Sequence, residues 1–150
     1  MSLIALVYEY RSLLGACELG LGLDWEGIDR VAAIEARFAP VADEQWRTSG
    51  RRFRREAVAM TGQLRVGRRL DQVEVVELGL GGVVCLGGPA VSRGEAVELL
   101  VEIGFDGAPC VRYHFNARGA WGRRDGAAWR TGLALTGVPV CVRLPERVAA

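Results

Sequence analysis

Lysine is absent from this 150-residue chain: all 19 Lys+Arg residues are arginine. That excludes Schiff-base chemistry and a phosphate-loop lysine by inspection. Histidine occurs once, at His114, and the cysteines Cys17, Cys85, Cys110 and Cys141 are scattered, with no C-x-x-C pair. A zinc site of the usual ligand spacing is thereby excluded, and no metal is expected. The cysteines read as small hydrophobes in strands or on helix faces. No activating pattern accompanies His114, so an enzyme is not expected either. Long apolar runs are missing too. The opening Met1–Val7 is too short to span a bilayer, and Glu9 and Arg11 soon interrupt it. It lacks a basic leader, so the expectation is a cytoplasmic chain with neither a secretory signal nor membrane insertion.

What is present divides at about residue 40. Leu3, Val7, Tyr10, Leu14, Cys17 and Leu21 recur at spacings of three and four, the stripe of an amphipathic helix with a coiled-coil-like seam. Gly20 and Gly22 end it, and Asp24 can cap a second helix whose apolar residues are Trp25, Ile28, Val31, Ala32, Ile34 and Phe38. Pro40 stops that one. A helical hairpin over 1–40 results. It can pack on its own domain, as short helices need a tertiary partner. It can also pair with a second copy through Leu3, Val7, Tyr10 and Leu14, which makes a homodimer the alternative.

From Glu56 the pattern becomes short alternating or apolar runs broken by glycine. Strands are predicted near 57–66, 72–78, 83–86, 96–103, 111–121 and 129–136. Turn signals separate them, including Asp106-Gly107 and Asp125-Gly126. Six short strands without crossover helices predict a mainly β chain forming an antiparallel barrel or sandwich over 56–137. A tail over 138–150 follows, where Pro139 and Pro145 argue against a long closing helix.

The net charge of +1 hides an uneven distribution. Residues 1–44 hold three arginines and eight acids, residues 45–69 eight arginines and one acid, and residues 70–150 eight arginines and nine acids. The segment 41–55 is therefore a basic linker, densest at Arg51-Arg52-Phe53-Arg54-Arg55. Arginine offers a planar fork for phosphate and a flat cation that stacks on bases, so the island favours a phosphorylated or nucleotide ligand. A nucleic-acid polymer is a poorer fit, because no aromatic stacking set accompanies the arginines.

With these residues in place, the chain resembles a PilZ domain. That family is a small six-stranded antiparallel β-barrel which typically binds the bacterial second messenger cyclic di-GMP. Its R-x-x-x-R motif is matched by Arg51 and Arg55, with Arg52 beside the first, although Arg47 and Arg51 share the spacing. Its D/N-x-S-x-x-G motif falls on Glu77-Leu78-Gly79-Leu80-Gly81-Gly82, where only Gly82 agrees. The segments 117–121 and 131–135 resemble the closing strands.

The resemblance implies that the arginines grip phosphate and stack on guanine, while the Asp/Asn and Ser of the second motif hydrogen-bond the base. Here Glu77 lengthens the acid and Gly79 removes the hydroxyl. The implied reading is a non-enzymatic regulator acting through unidentified protein partners, in motility, type IV pilus or biofilm control. It requires no cofactor, and cyclic di-GMP binding would be weak or lost. The alternative is a true cyclic di-GMP receptor using Arg51, Arg52, Arg55, Glu77, Gly79 and Gly82.

Overall fold

The computed structural model describes residues 2–39, 53–104 and 110–144. Arg47, Arg51, Arg52, Pro40, the Asp106-Gly107 turn and the residues after 144 lie outside the described residues.

Helix α1 (Leu3–Glu18) starts at Ser2, whose hydroxyl accepts from the Ala5 N–H at 3.4 Å. Past its end, Gly20 and Gly22 adopt φ of +83° and +70°, a conformation that favours glycine. Helix α2 (Trp25–Arg37) starts where Asp24 Oδ1 accepts from the Gly27 N–H at 2.7 Å. Arg30 donates from two nitrogens to the Glu9 carboxylate at 2.7 and 2.8 Å, a fork-to-fork pair that ties the helices together. The same contact holds the Glu9 carboxyl below its usual range.

Six strands follow: β1 (Glu56–Val66), β2 (Arg69–Leu78), β3 (Gly82–Leu86), β4 (Ala96–Ile103), β5 (Val111–Asp125) and β6 (Ala128–Arg143). All pairings are antiparallel, and each strand has two hydrogen-bonded neighbours in the closed order β1-β2-β3-β6-β5-β4. Two hairpins turn on a glycine in the left-handed region, Gly67 at φ +61° and Gly126 at φ +63°.

The last hairpin is longer than the sequence pattern predicts. β5 continues past Trp121 to Asp125, and β6 continues past Thr136 to Arg143. At the turn end Trp121 lies over Gly132 and Trp129 over Gly122, aromatic cover that compensates for missing side chains. The Arg123 guanidinium stands 5.6 Å from the Trp121 ring centre. At the other end the tail expected from 138 is strand through Arg143. Pro139 is accommodated there because Thr136 pairs Asn116 and Val140 pairs His114, so residues 137–139 form a bulge that needs no ladder N–H.

The helices and the sheet share one core. Ile4, Val7 and Tyr10 of α1, together with Ile34 of α2 and Phe38 just beyond it, join Leu64, Val75, Leu78, Leu99, Phe115 and Leu133 in a single cluster. Helix α1 lies along β6 at close range: a Cβ on Gly15 would stand 2.6 Å from Val138 Cγ2. Buried Arg11 donates to the Gly137 carbonyl at 3.1 Å and pairs with Glu18 at 3.4 Å. Of the two uses expected for Leu3, Val7, Tyr10 and Leu14, packing on the chain's own domain is the one observed. Val7 and Tyr10 are buried, and Leu3 and Leu14 pack against the core, so the chain itself occupies that face. Cys17 and Leu21, which prolong the stripe, overrun the sheet and are exposed.

Three expectations follow. Gly15→Ala lowers stability by about 1–3 kcal/mol in a urea melt, because the overlap with Val138 and Gly137 outweighs the gain of up to about 1 kcal/mol in helix propensity. Under native conditions a thiol reagent modifies Cys17, Cys110 and Cys141 quickly and Cys85 only on unfolding, since Cys85 alone is buried. Burial also pushes the Cys85 thiol up to about 12 from 9.0. The unfolded chain ionises that thiol first, so its effect is nil below the unfolded value. Stability falls as pH rises from 9.0 towards about 12, and Cys85→Ala flattens that alkaline slope.

Candidate functional site

The entry to β1 and the β2–β3 turn enclose a cleft of about 260 Å³ lined by Phe53, Arg54, Arg55, Gly79, Leu80, Gly81 and Gly82. The end of α2 holds its first wall. The Arg54 N–H donates to the Phe38 carbonyl at 2.9 Å, and Arg54 Nη2 donates to the Arg37 carbonyl at 3.1 Å. Arg37 and Arg54 both pair with Glu56, at 2.6 and 2.9 Å, so one carboxylate serves two guanidinium groups. Phe53 meets Tyr10 of α1 edge-on at 6.3 Å. The helical hairpin thus sets where the arginines enter the sheet.

The second wall is a glycine-rich turn fastened to β6. The Gly79 N–H donates to the Gly82 carbonyl at 2.9 Å, and the Leu135 N–H donates to the Gly81 carbonyl at 3.0 Å. Leu78 and Leu80 are buried and anchor the turn from below. A Cβ at Gly82 would lie 2.7 Å from the Leu133 carbonyl oxygen and 3.3 Å from Arg55 Nη2, and one at Gly79 would lie 3.0 Å from Arg55 Cγ. Half-buried Arg55 therefore runs along the space that side chains at 79 and 82 would fill. Gly81 is exposed, with open space where its side chain would be.

Of the residues singled out in the sequence, Arg55, Gly79 and Gly82 come together in this cleft. Glu77 does not line it. It sits at a register shift in β2, opposite Ala57 on one side and Val84 on the other. His114 lies elsewhere, on β5 between Leu100 and Val140. Sequence reasoning missed Phe53, Arg54, Leu80 and Gly81 as lining residues. The available signal was contiguity: each sits inside a motif segment already recognised. Chemically, the cleft has a cationic wall facing main chain and leucine. It can attract an anion, but the turn offers no side-chain hydroxyl, amide or carboxylate to read a base edge. Among the described residues, no group of three or more His, Cys, Asp or Glu could hold a metal ion, and no helix is long and apolar enough to cross a membrane.

No protein-family model and no curated protein matches the sequence. Five chains of known structure do match, among them the Bacillus subtilis inhibitor of motility, MotI/DgrA, at a TM-score of 0.51 and 13% identity. The match covers 61% of this chain and 44% of that one, so this chain accounts for less than half of MotI/DgrA. The fold is PilZ-like. At this identity the likeness is one of fold alone, and it agrees with a mainly β chain of six antiparallel strands preceded by two helices.

The glycine-rich turn can be probed directly. Gly82→Ala costs about 1–3 kcal/mol, because the obstructing atom is a main-chain carbonyl that cannot yield. Gly81→Ala stays within about 0.5 kcal/mol, as expected of an open surface position. Paired thermal melts of the two variants check both values.

Proposed function

We propose that this chain is a non-enzymatic PilZ-type regulator in bacterial motility, type IV pilus or biofilm control. In this reading it acts through protein contacts and binds cyclic di-GMP weakly or not at all. The supporting observation is the wall of the cleft opposite Arg55. Residues 79–82 supply no side-chain hydrogen-bonding group, and Glu77 lies outside the lining. Each bidentate polar contact to a base contributes about 1–3 kcal/mol, so losing one or two lowers affinity by roughly tenfold to a thousandfold or more. Phosphate attraction at the arginines is screened by salt and selects poorly among anions. The motility assignment draws on the name of MotI/DgrA, an inhibitor of motility.

Calorimetry with cyclic di-GMP tests this reading. The expected outcome is no saturable binding at micromolar concentrations in physiological salt. Gly79→Ser restores none, because the added side chain meets the Arg55 stem. Micromolar binding abolished by Arg55→Ala would overturn the proposal in favour of a true receptor. Deleting the chain from its bacterium is expected to change swimming or twitching, and unchanged motility and biofilm would remove the assigned process.

A further inference from the structure

Glu56 is the one acid among residues 45–69, a stretch that holds eight arginines. It opens β1, and its side chain is only 18% exposed. A single oxygen, Oε1, accepts from Arg37 Nη1 at 2.6 Å and from Arg54 Nη2 at 2.9 Å. Isolated surface ion pairs contribute little, but this carboxylate is largely withdrawn from water and serves two guanidinium groups at charge-assisted distances. Of these three residues, only Arg54 lines the cleft. Its Nη2 also donates to the Arg37 carbonyl at 3.1 Å, so both hydrogens of that nitrogen are engaged by residues outside the lining.

We propose that Glu56 is an internal anion that competes for Arg54 with phosphate-bearing ligands and so lowers the cleft's affinity for them. A phosphate that reaches Arg54 either displaces the carboxylate from Nη2 or shares the guanidinium with it. Displacement exchanges one charge-assisted bond for another and gains little. Sharing places two negative groups within about 4–6 Å of each other, where like charges repel. The contact is built into the main chain. Glu56 pairs opposite Leu78 at the start of β1, and the Arg54 N–H is fixed to the Phe38 carbonyl at 2.9 Å. Carboxylate and guanidinium are thus set side by side before any ligand arrives.

This inference deepens the proposed function and rests on its reading of the cleft as a cationic site of low affinity. The two effects are separate. Missing side chains on the turn remove selectivity for a base, whereas an internal anion weakens the binding of every phosphate, with or without a base attached. A purely mechanical role for Glu56, fastening the end of α2 to β1, predicts lower stability on substitution and no change in anion affinity. A general effect of net charge predicts the same gain from removing any acid of the sheet.

Calorimetric titration of the full chain with inorganic pyrophosphate at low salt separates these readings. Glu56→Gln is expected to bind about three- to tenfold more tightly than the wild type, the effect of one competing charge near a protein surface. Glu56→Asp keeps the charge but withdraws the carboxylate by one methylene, and gains in the same direction by a smaller factor. Glu74→Gln removes an exposed acid of β2 opposite Thr61 and changes affinity by less than about twofold. In an Arg54→Ala background Glu56→Gln gains nothing, because the lining arginine that Glu56 holds is gone. Circular dichroism confirms folding, and Glu56→Asp against the wild type decides the matter if Glu56→Gln does not fold. Equal affinities for the wild type and both Glu56 variants, or no measurable binding by any of them, overturn the proposal. An equal gain in Glu74→Gln, or a gain that persists without Arg54, overturns it too, in favour of net charge. Micromolar binding of cyclic di-GMP by the wild type would remove the proposed function yet leave this comparison intact, since it is read as a ratio between variants.

Discussion

The ring of strands closes at Gly82, and that close approach is the constraint on which the remaining structure depends. Gly82 pairs with Ala134, and a side chain there would meet the Leu133 carbonyl at 2.7 Å. Because the strands approach so closely, the preceding turn can be stitched to β6 through the Gly81 carbonyl and close on itself between Gly79 and Gly82. The absence of side chains at 79 and 82 leaves the channel along which Arg55 lies. One steric requirement thus completes the sheet and shapes the cleft.

That link bears on the chemistry. Glycine at 79 and 82 is usually read as flexibility, yet here the contacts around both positions argue for close packing. The turn that makes closure possible is the segment that would carry base-reading side chains in a cyclic di-GMP receptor. What remains is a basic wall held in position by α2, with Arg54 committed to the Arg37 carbonyl and to Glu56. The cleft therefore joins the helical hairpin to the sheet through the contacts of Arg54 with Arg37, Phe38 and Glu56.

The hairpin is itself integral to the core. Helix α1 is pressed against the bulge of β6 by Gly15 and held there by the buried Arg11 guanidinium on the Gly137 carbonyl. Its apolar stripe is consumed in that contact. Helix α2, docked by Ile34 and Phe38 and tied to α1 through the Arg30–Glu9 pair, keeps an apolar face towards solvent.

Much of this was legible in the sequence because it depends on near neighbours along the chain. Asp24 caps its helix, Gly67 and Gly126 turn their hairpins, and alternation from Glu56 onward marks six strands. The same local signals brought Arg55, Gly79 and Gly82 forward together. Tertiary structure decided the rest. It alone shows that the first helix's stripe is buried, that Pro139 sits in a bulge rather than ending the sheet, and that Glu77 falls outside the cleft. Caps, turns and strand periodicity are set within a few residues. The orientation of a helix face or a carboxylate depends on backbone and side chains far away in the chain, which periodicity does not encode.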